Sequence, residues 1–273
     1  MNDRNSRIAF IGGGNMASAI IGGLLQQGLA PAQVAVVEPF AEARARLQQQ
    51  FGVQAQEQPD ATLATASLVV WAVKPQTFKE AAGQARAHVQ QALQLSVAAG
   101  IRSDSIAAWL GSERIVRAMP NTPALVGKGM TALYARGAAD AADRQRVEQV
   151  IATTGEFLWV EQERQLDAVT ALSGSGPAYV FYFLEAMVQA GAEMGLSQDQ
   201  ARQLAVATFA GASELARASS DPLQTLRERV TSKGGTTYAA LMSLEGDQVK
   251  AAFVKALHAA CDRATELGDE FGK

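Results

Sequence analysis

One stretch of this sequence, residues 7–21, restricts the fold more than any other. Four apolar residues at positions 8–11 run into three glycines at positions 12–14, after which apolar residues recur at the spacing of a helix. An uninterrupted apolar strand is typical of a parallel sheet that is covered on both faces. The stretch therefore predicts a buried strand, a tight turn and a helix, in that order.

The turn in this stretch has a pattern that binds dinucleotides. It reads Gly12-x-Gly14-x-x-Ala17, which matches the G-x-G-x-x-G/A fingerprint. Gly12 permits the unusual φ/ψ of the turn, the bare backbone of Gly14 lets a pyrophosphate approach, and Ala17 lets the helix pack against the strand. Amides around Asn15 and Met16 would point at the phosphates, with the positive end of the helix dipole behind them. Glycine-rich turns also join strands to helices for purely structural reasons, so the surrounding sequence has to decide.

An acidic residue after the second strand favours the dinucleotide interpretation. Residues 34–37 form a second apolar strand that ends at Glu38. Glu38 follows Gly14 by 24 positions, close to the spacing of about 20 expected for the carboxylate that binds the ribose. Such a carboxylate would accept hydrogen bonds from a ribose 2′-hydroxyl and repel a 2′-phosphate. If it turns away instead, Arg44 or Arg46 on the next helix could meet the phosphate, so both NADH and NADPH stay open as cofactors.

The composition excludes several other functions. A hydrophobic fraction of 48% with 19% charged residues over 273 residues indicates a globular protein of about two domains. The net charge is −3 and there is no basic run, so we expect no nucleic-acid partner. The longest apolar run, residues 176–184, is well below the roughly 20 residues that a membrane helix needs, so we expect no membrane partner.

The few cysteines and histidines also limit the chemistry. Cys261 is the only cysteine, and residues 1–7 lack the apolar core of a signal peptide, so we expect a cytoplasmic protein. His88 and His258 are isolated in the sequence, with no Cys/His spacing around them. We therefore expect no metal site.

Strand and helix patterns alternate through the first part of the chain. The predicted strands are residues 8–11, 34–37, 68–73, 93–97, 114–119, 129–134 and 156–160. The predicted helices between them include residues 40–51, 104–110 and 141–153. This alternation predicts an α/β fold with an N-terminal Rossmann-type, doubly wound parallel sheet, which we assign to residues 1–162.

The second part, residues 163–273, is predicted to be an all-α domain. Its helical patterns cover residues 178–194, 198–218, 222–230 and 249–267. Residues 179–184 are apolar on every side of the first of these helices, and such a helix must be buried all round. A domain of about 110 residues is too small to enclose it alone, so we expect burial against a second subunit.

The segment at residues 232–237 is a candidate anion site. It reads Ser232-Lys233-Gly234-Gly235-Thr236-Thr237, and consecutive small residues expose backbone amides that can form an anion-binding nest at the start of a helix. Ser232 and Thr237 add hydroxyl donors. The simpler interpretation is a glycine C-cap followed by a threonine N-cap.

Several stretches together resemble the pyrroline-5-carboxylate reductase family, in the right order and over nearly the whole chain. They are Gly12-Gly13-Gly14-Asn15-Met16-Ala17, Ala72-Val73-Lys74-Pro75, Met119-Pro120-Asn121-Thr122-Pro123, the segment 167–179 around Ser173-Gly174-Ser175-Gly176-Pro177, and the segment 230–237. The resemblance implies reduction of 1-pyrroline-5-carboxylate to L-proline by NADPH or NADH, the last step of proline biosynthesis. It also implies a homodimer formed by interlocked helical domains, which can assemble further into a pentamer of dimers.

The resemblance also implies roles for individual residues. It places the substrate on Ser232, Gly234, Gly235, Thr236 and Thr237. It places the cofactor beside Lys74, Ala98, Met119 and Asn121. Each of these four could equally be a loop residue held by its neighbours. Lys233 departs from the proline that we associate with this position, and we expect it to reach solvent.

Thr170 is the catalytic residue that the resemblance implies. Its hydroxyl is a poor acid, but it can orient a water molecule or donate a hydrogen bond to the developing amine. The alternative is a threonine whose hydroxyl bonds back to a carbonyl of its own helix.

Two other functions remain alternatives at the level of sequence. A beta-hydroxyacid dehydrogenase or another imine reductase could share this architecture, but those dehydrogenases place a lysine on a helix of the second domain. Between Glu161 and Thr231 the sequence has no lysine. A non-catalytic NAD(P)-sensing regulatory protein is the third interpretation, and the two second-domain motifs argue against it because a sensor needs no substrate site.

Overall fold

The computed structural model describes residues 7–272. These residues form two compact units: the sheet unit, which runs to Ser175 and includes the residues from Ala260 onward, and the helical unit, Gly176–Ala259. Residues 1–6, which carry most of the expectation about a signal peptide, lie outside the described residues. The predicted domain boundary after residue 162 stays a prediction.

An eight-stranded sheet forms the centre of the sheet unit, within the described part of the chain. Its strands are β1 (Arg7–Ile11), β2 (Val34–Val37), β3 (Ala55–Gln56), β4 (Ala66–Trp71), β5 (Leu93–Ser96), β6 (Ile115–Met119), β7 (Gly129–Ala135) and β8 (Gly155–Trp159). Their order across the sheet is β3-β2-β1-β4-β5-β6-β7-β8. The first six strands are parallel and have the order of a Rossmann sheet, which confirms the predicted fold class.

One strand pair departs from the predicted parallel sheet. β7 runs antiparallel to β6, with Met119 opposite Ala132, and β8 is parallel to β7. The connection from β6 to β7 covers only residues 120–128 and contains a short 3-10 helix, Thr122–Val126. A parallel crossover needs about a dozen residues or more, so a connection of this length favours an antiparallel return.

Helices cover both faces of the sheet. They are α1 (Asn15–Gln26), α2 (Ala41–Phe51), α3 (Pro75–Val89), α4 (Ser103–Leu110) and α5 (Ala141–Ile151), followed by the short helix α6 (Gln165–Val169). One face of the sheet, with Phe10, packs on Ile20 and Leu24 of α1, whereas the other face, with Trp71, packs on Phe78 of α3. Two layers of helices around one sheet explain why β1 is buried from Ile8 onward.

The remaining helices are α7 (Gly176–Glu193), α8 (Gln198–Ala218), α9 (Leu223–Arg229), α10 (Thr236–Gly246) and α11 (Val249–Phe271). The helical unit confirms the predicted all-α character. Its helices bury little of their apolar surface within one chain: Gly191 is the only buried residue of α7, and α10 has none among its described residues. No helix within residues 7–272 is long and apolar enough to cross a membrane.

Candidate active site

The glycine turn between β1 and α1 leaves space for a ligand on one side. Gly12 has a φ of +98°, and a Cβ atom there would lie 2.5 Å from the carbonyl oxygen of Ala72, so only glycine fits. A Cβ on Gly14 would meet nothing within 4 Å. Ala17 is fully buried against the sheet. The backbone of Gly14 therefore faces open space beside the first amides of α1, at Asn15 and Met16, which have no partner within a helix.

The side chain of Glu38, which follows β2, lies against the glycine turn. Its Oε2 accepts a hydrogen bond from the Gly13 N–H at 2.8 Å, and its Oε1 accepts one from the Phe40 N–H at 2.9 Å. The residue is buried. A Cβ atom on Gly13 would lie 3.3 Å from the Glu38 side chain and 2.7 Å from Leu47, so the middle glycine allows the carboxylate to come this close.

Arg44 is bonded to the loop that follows β2. Its NH1 group donates to the carbonyl oxygens of Glu38 and Pro39 at 2.9 and 2.7 Å, and its NH2 group pairs with Glu57 at 3.3 Å. Arg46 is exposed on the same helix. Residues two positions apart on a helix do not share a face, so the two arginines point in different directions.

The other predicted cofactor residues follow the ends of neighbouring parallel strands. Lys74 comes after β4 and is exposed, where it precedes the first residue of α3. Ala98 comes after β5, is buried, and donates its N–H to the Ser96 hydroxyl at 3.3 Å. Because the carboxyl ends of parallel strands meet at one edge of a sheet, these positions lie on the edge that carries the glycine turn.

Met119 ends β6 and contacts a turn of π-helix, Thr170–Gly174, which we call the π-turn. A Cβ atom on Gly174 would lie 2.4 Å from the Cε atom of Met119, so this glycine allows the methionine to pack against the π-turn. Single turns of π-helix occur frequently at functional sites.

The Asn121 side chain joins the same π-turn to β7. Its Oδ1 accepts from the Met130 N–H at 2.9 Å, and its Nδ2 donates to the backbone carbonyl and the hydroxyl of Ser173 at 3.3 and 3.2 Å. The amide side chain is thus used within the protein, whereas its predicted role was contact with the cofactor.

Thr170 begins the π-turn, and its hydroxyl donates to the Leu166 carbonyl at 2.7 Å. The backbone carbonyl of Thr170 accepts from the Ser175 N–H at 2.8 Å. Since the Leu166 carbonyl can only accept, the hydroxyl proton of Thr170 must point at it. The lone pairs of the hydroxyl oxygen are then left for another donor. The alternative arrangement, in which the hydroxyl bonds back to a carbonyl of its own helix, is therefore present. It leaves the hydroxyl oxygen able to accept a hydrogen bond.

The segment at residues 232–237 lies in the helical unit, at the start of α10. Gly234 has a φ of +76°, and Gly235 is the N-cap residue of α10, so the simpler prediction of a threonine N-cap is wrong. The Gly235 N–H donates to the Ser232 carbonyl at 3.0 Å, while a Cβ on Gly235 would lie 2.6 Å from the Ser232 hydroxyl. Ser232, Thr236 and Thr237 are exposed at this helix start.

Glu163 connects three elements of the sheet unit. It accepts from the Ser103 N–H and hydroxyl, both at 2.6 Å, and pairs with Arg117 of β6 at 2.7 Å. Burial raises the pKa of Glu163, but the hydrogen bonds from Ser103 and the charge of Arg117 outweigh it, so the pKa is lowered. The carboxylate thereby caps the N-terminus of α4 from a distant part of the sequence.

Three residues that shape the site were not predicted from the sequence as site residues. They are Gly13, Ser173 and Gly174. The sequence did contain a signal for a special role of Gly13. The fingerprint requires glycine at positions 12 and 14 and does not explain the glycine between them. The packing of Gly174 on Met119 had no such signal. Among residues 7–272 no three His, Cys, Asp or Glu side chains are grouped so as to hold a metal ion.

Comparison with known families and proteins gives a consistent result. The family model described as "Pyrroline-5-carboxylate reductase dimerisation" matches residues 163–267, and the one described as "NADP oxidoreductase coenzyme F420-dependent" matches residues 7–100. The chain is 44% identical over 270 residues to a pyrroline-5-carboxylate reductase of Pseudomonas aeruginosa, covering 98% of each chain.

Solved structures show the same likeness. A pyrroline-5-carboxylate reductase from Coxiella burnetii is 37% identical, with a TM-score of 0.89 over 96% of this chain and 98% of that one. A Plasmodium falciparum pyrroline carboxylate reductase with NADP bound is 28% identical, with a TM-score of 0.87 over 97% of this chain and 99% of that one.

Proposed function

The chain belongs to the pyrroline-5-carboxylate reductase family, and from that premise we propose how its residues divide the work of one reaction. It is an NAD(P)H-dependent oxidoreductase that reduces 1-pyrroline-5-carboxylate to L-proline. NAD(P)H supplies the hydride that adds to the imine carbon, so the main task of the protein is to hold two planar rings face to face. The observation that carries the function is the likeness to curated reductases over the full chain.

The glycine turn fits a dinucleotide. The open space at Gly14 lets a pyrophosphate approach the first backbone amides of α1, which can donate hydrogen bonds to it. The carboxylate of Glu38 can accept hydrogen bonds from a ribose. Lys74, Ala98 and Met119 complete the proposed cofactor site, because they follow β4 and β5 and end β6 on the same edge of the sheet.

Thr170 is proposed to accept a hydrogen bond at the imine nitrogen. Its own proton is committed to Leu166, so its lone pairs suit the N–H of a protonated imine, which keeps that proton as the carbon is reduced. Holding the imine protonated makes its carbon a better hydride acceptor, because a hydrogen bond to the charged form raises the fraction of bound imine that carries the proton when the hydride arrives.

The substrate carboxylate is proposed to bind at residues 232–237, from the same chain or a neighbouring one. The start of α10 offers unpaired backbone amides and the positive end of a helix dipole. The exposed hydroxyls of Ser232, Thr236 and Thr237 add donors, while Gly234 and Gly235 let the carboxylate approach the backbone. Lys233 is exposed, in keeping with the prediction that it reaches solvent, and we propose no role for it in binding.

The dimerisation-domain match indicates that the chain forms oligomers. We propose a homodimer as the working unit and a pentamer of dimers as the larger assembly, the latter on the family likeness alone. A cytoplasmic location is part of the same proposal and rests on the single cysteine.

One assay tests the function. The purified protein is mixed with 1-pyrroline-5-carboxylate and NADH or NADPH, the loss of reduced nicotinamide is followed by absorbance, and the product is identified by mass spectrometry. We expect stoichiometric L-proline. Oxidation of a beta-hydroxyacid without any reduction of the imine would favour the dehydrogenase, and cofactor binding without turnover of either would favour the sensor.

A further inference from the structure

The carboxylate of Glu38 is held in one place by the backbone. The backbone amides of Gly13 and Phe40 each donate to a different carboxylate oxygen. The side chain is buried, and Gly13 has no Cβ that would push it away. The alternative in which Glu38 turns away from the ribose would break both hydrogen bonds.

This carboxylate can still bind a ribose. A carboxylate has about four lone-pair positions for hydrogen bonds, and the two amides occupy two of them. The remaining positions can accept from the hydroxyl groups of a ribose seated on the glycine turn. A 2′-phosphate at that place would instead bring a second negative group against a fixed negative one.

The cation that could compensate for Glu38 is engaged elsewhere. Arg44 donates to two backbone carbonyls and pairs with Glu57, so its charge is already balanced by a carboxylate. Arg46 is exposed and faces away from the side of α2 that carries Arg44. Arg44 thus pairs with the carboxylate of Glu57 and meets only the backbone carbonyl of Glu38, whose own carboxylate has no arginine partner among these contacts.

We propose that Glu38 makes this protein select NADH over NADPH. The inference rests on the proposed cofactor site and deepens it, since the family likeness accommodates either cofactor. The expected preference is about tenfold or more in affinity, the effect of one like-charge contact near a protein surface.

Binding of each cofactor without the imine tests the proposal. Titration calorimetry gives the Kd for NADH and NADPH with the wild-type protein, Glu38→Gln and Glu42→Gln. Glu38→Gln keeps the size and one acceptor oxygen but removes the charge, so we expect the NADPH-to-NADH ratio of Kd values to fall from roughly ten to near one. Glu42→Gln removes a charge from the exposed first turn of the same helix, and it should leave the ratio unchanged.

Three results would overturn the proposal: a wild-type protein that binds NADPH as tightly as NADH, a Glu38→Gln variant with an unchanged ratio, or a Glu42→Gln variant that shifts the ratio as much. Should Glu38→Gln not fold, the wild-type ratio still decides the preference. The assay with the imine is separate. A protein that binds NADH selectively but does not reduce the imine would refute the proposed function and leave this inference standing.

Discussion

The Thr170 hydroxyl is expected to act through its oxygen rather than its proton, because the proton is bonded to Leu166. Replacing Thr170 with alanine removes one hydrogen bond to a positively charged imine. Such a bond contributes about 1.5 to 3 kcal/mol to the protonated form of the bound imine. The protonated fraction, and with it kcat, should therefore fall by roughly ten- to a hundredfold while KM for the imine changes less. Steady-state kinetics at saturating cofactor measures both constants.

Thr170→Ser and Thr170→Val are the matched controls for that substitution. Serine keeps the hydroxyl and should retain most of the activity, whereas valine keeps the shape and should behave like alanine. An alanine variant with wild-type kcat would remove Thr170 from the mechanism. A valine variant with wild-type kcat would show that the threonine contributes only its shape.

The Asn121 side chain is expected to position the π-turn on which Thr170 lies. Asn121→Asp keeps the side-chain oxygen that accepts a hydrogen bond from the Met130 N–H. It replaces the NH₂ group that donates to Ser173 with a second oxygen, which can only accept. We expect the free energy of unfolding to fall by about 1 to 3 kcal/mol, because a donor is lost and two acceptors face each other. We also expect kcat to fall.

Cofactor affinity separates this role from direct contact with the cofactor. If the Asn121 side chain only holds the π-turn, the uncharged variant Asn121→Ala should leave the Kd for NADH within about a factor of two of wild type, since it adds no negative charge and most of the site is untouched. A large loss of NADH affinity with unchanged thermal stability would contradict the positioning role.

At the scale of the elements, Glu163 fastens α4 and β6 to the segment before α6. Its pKa in the folded protein lies below its usual value of 4.5. A lowered pKa contributes stability that is fully present above the unfolded value and is lost as the pH falls through the folded one. The wild-type protein should therefore lose stability below about pH 4.5 as this carboxylate is protonated.

Thermal unfolding of wild type and Glu163→Gln between pH 7 and pH 3 measures this contribution. The variant should be less stable at pH 7 by about 2 kcal/mol, because charged hydrogen bonds to Ser103 and Arg117 become neutral ones. The difference between the two proteins should shrink as the pH falls. A difference in Tm that is independent of pH would mean that the Glu163 charge contributes nothing.

Some elements could be predicted from the sequence and others could not, for reasons of local chemistry. β1, the glycine turn and α1 were predictable because their apolar periods and glycines are contiguous. α3 was missed because its buried face is Phe78, Ala82, Ala85 and Val89, a helical spacing whose two alanines give little hydrophobic signal.

The parts of the site that depend on distant contacts were hidden for a different reason. The antiparallel direction of β7 follows from the short connection after Met119, which the motif alone did not reveal. The place of Glu38 depends on an amide 25 positions earlier, and the engagement of Arg44 depends on Glu57. A spacing rule could find Glu38 but could not decide which way it faces.

At the scale of the whole molecule, several large apolar side chains of the helical unit are exposed in the single chain. Phe181 and Tyr182 of α7 are 57% and 70% exposed, and Leu204 and Leu215 of α8 are 56% and 70% exposed. Contiguous exposed apolar patches indicate an interaction surface. The dimerisation-domain match over residues 163–267 covers these helices, so a second copy of this chain is the expected cover.

The substitution Phe181→Asp tests directly whether a second copy of the chain buries this surface. A buried phenylalanine at an interface contributes about 2 kcal/mol or more, and an unpaired aspartate there adds a desolvation cost, so we expect this variant to dissociate at micromolar concentration where wild type does not. Sedimentation velocity measures the species, and circular dichroism verifies that the helices persist. Leu158→Asp is the matched control. Leu158 is 43% exposed on β8 of the sheet unit, so its replacement by aspartate should leave the assembly intact. A wild-type protein that sediments only as a monomer would refute burial of this surface by a second copy.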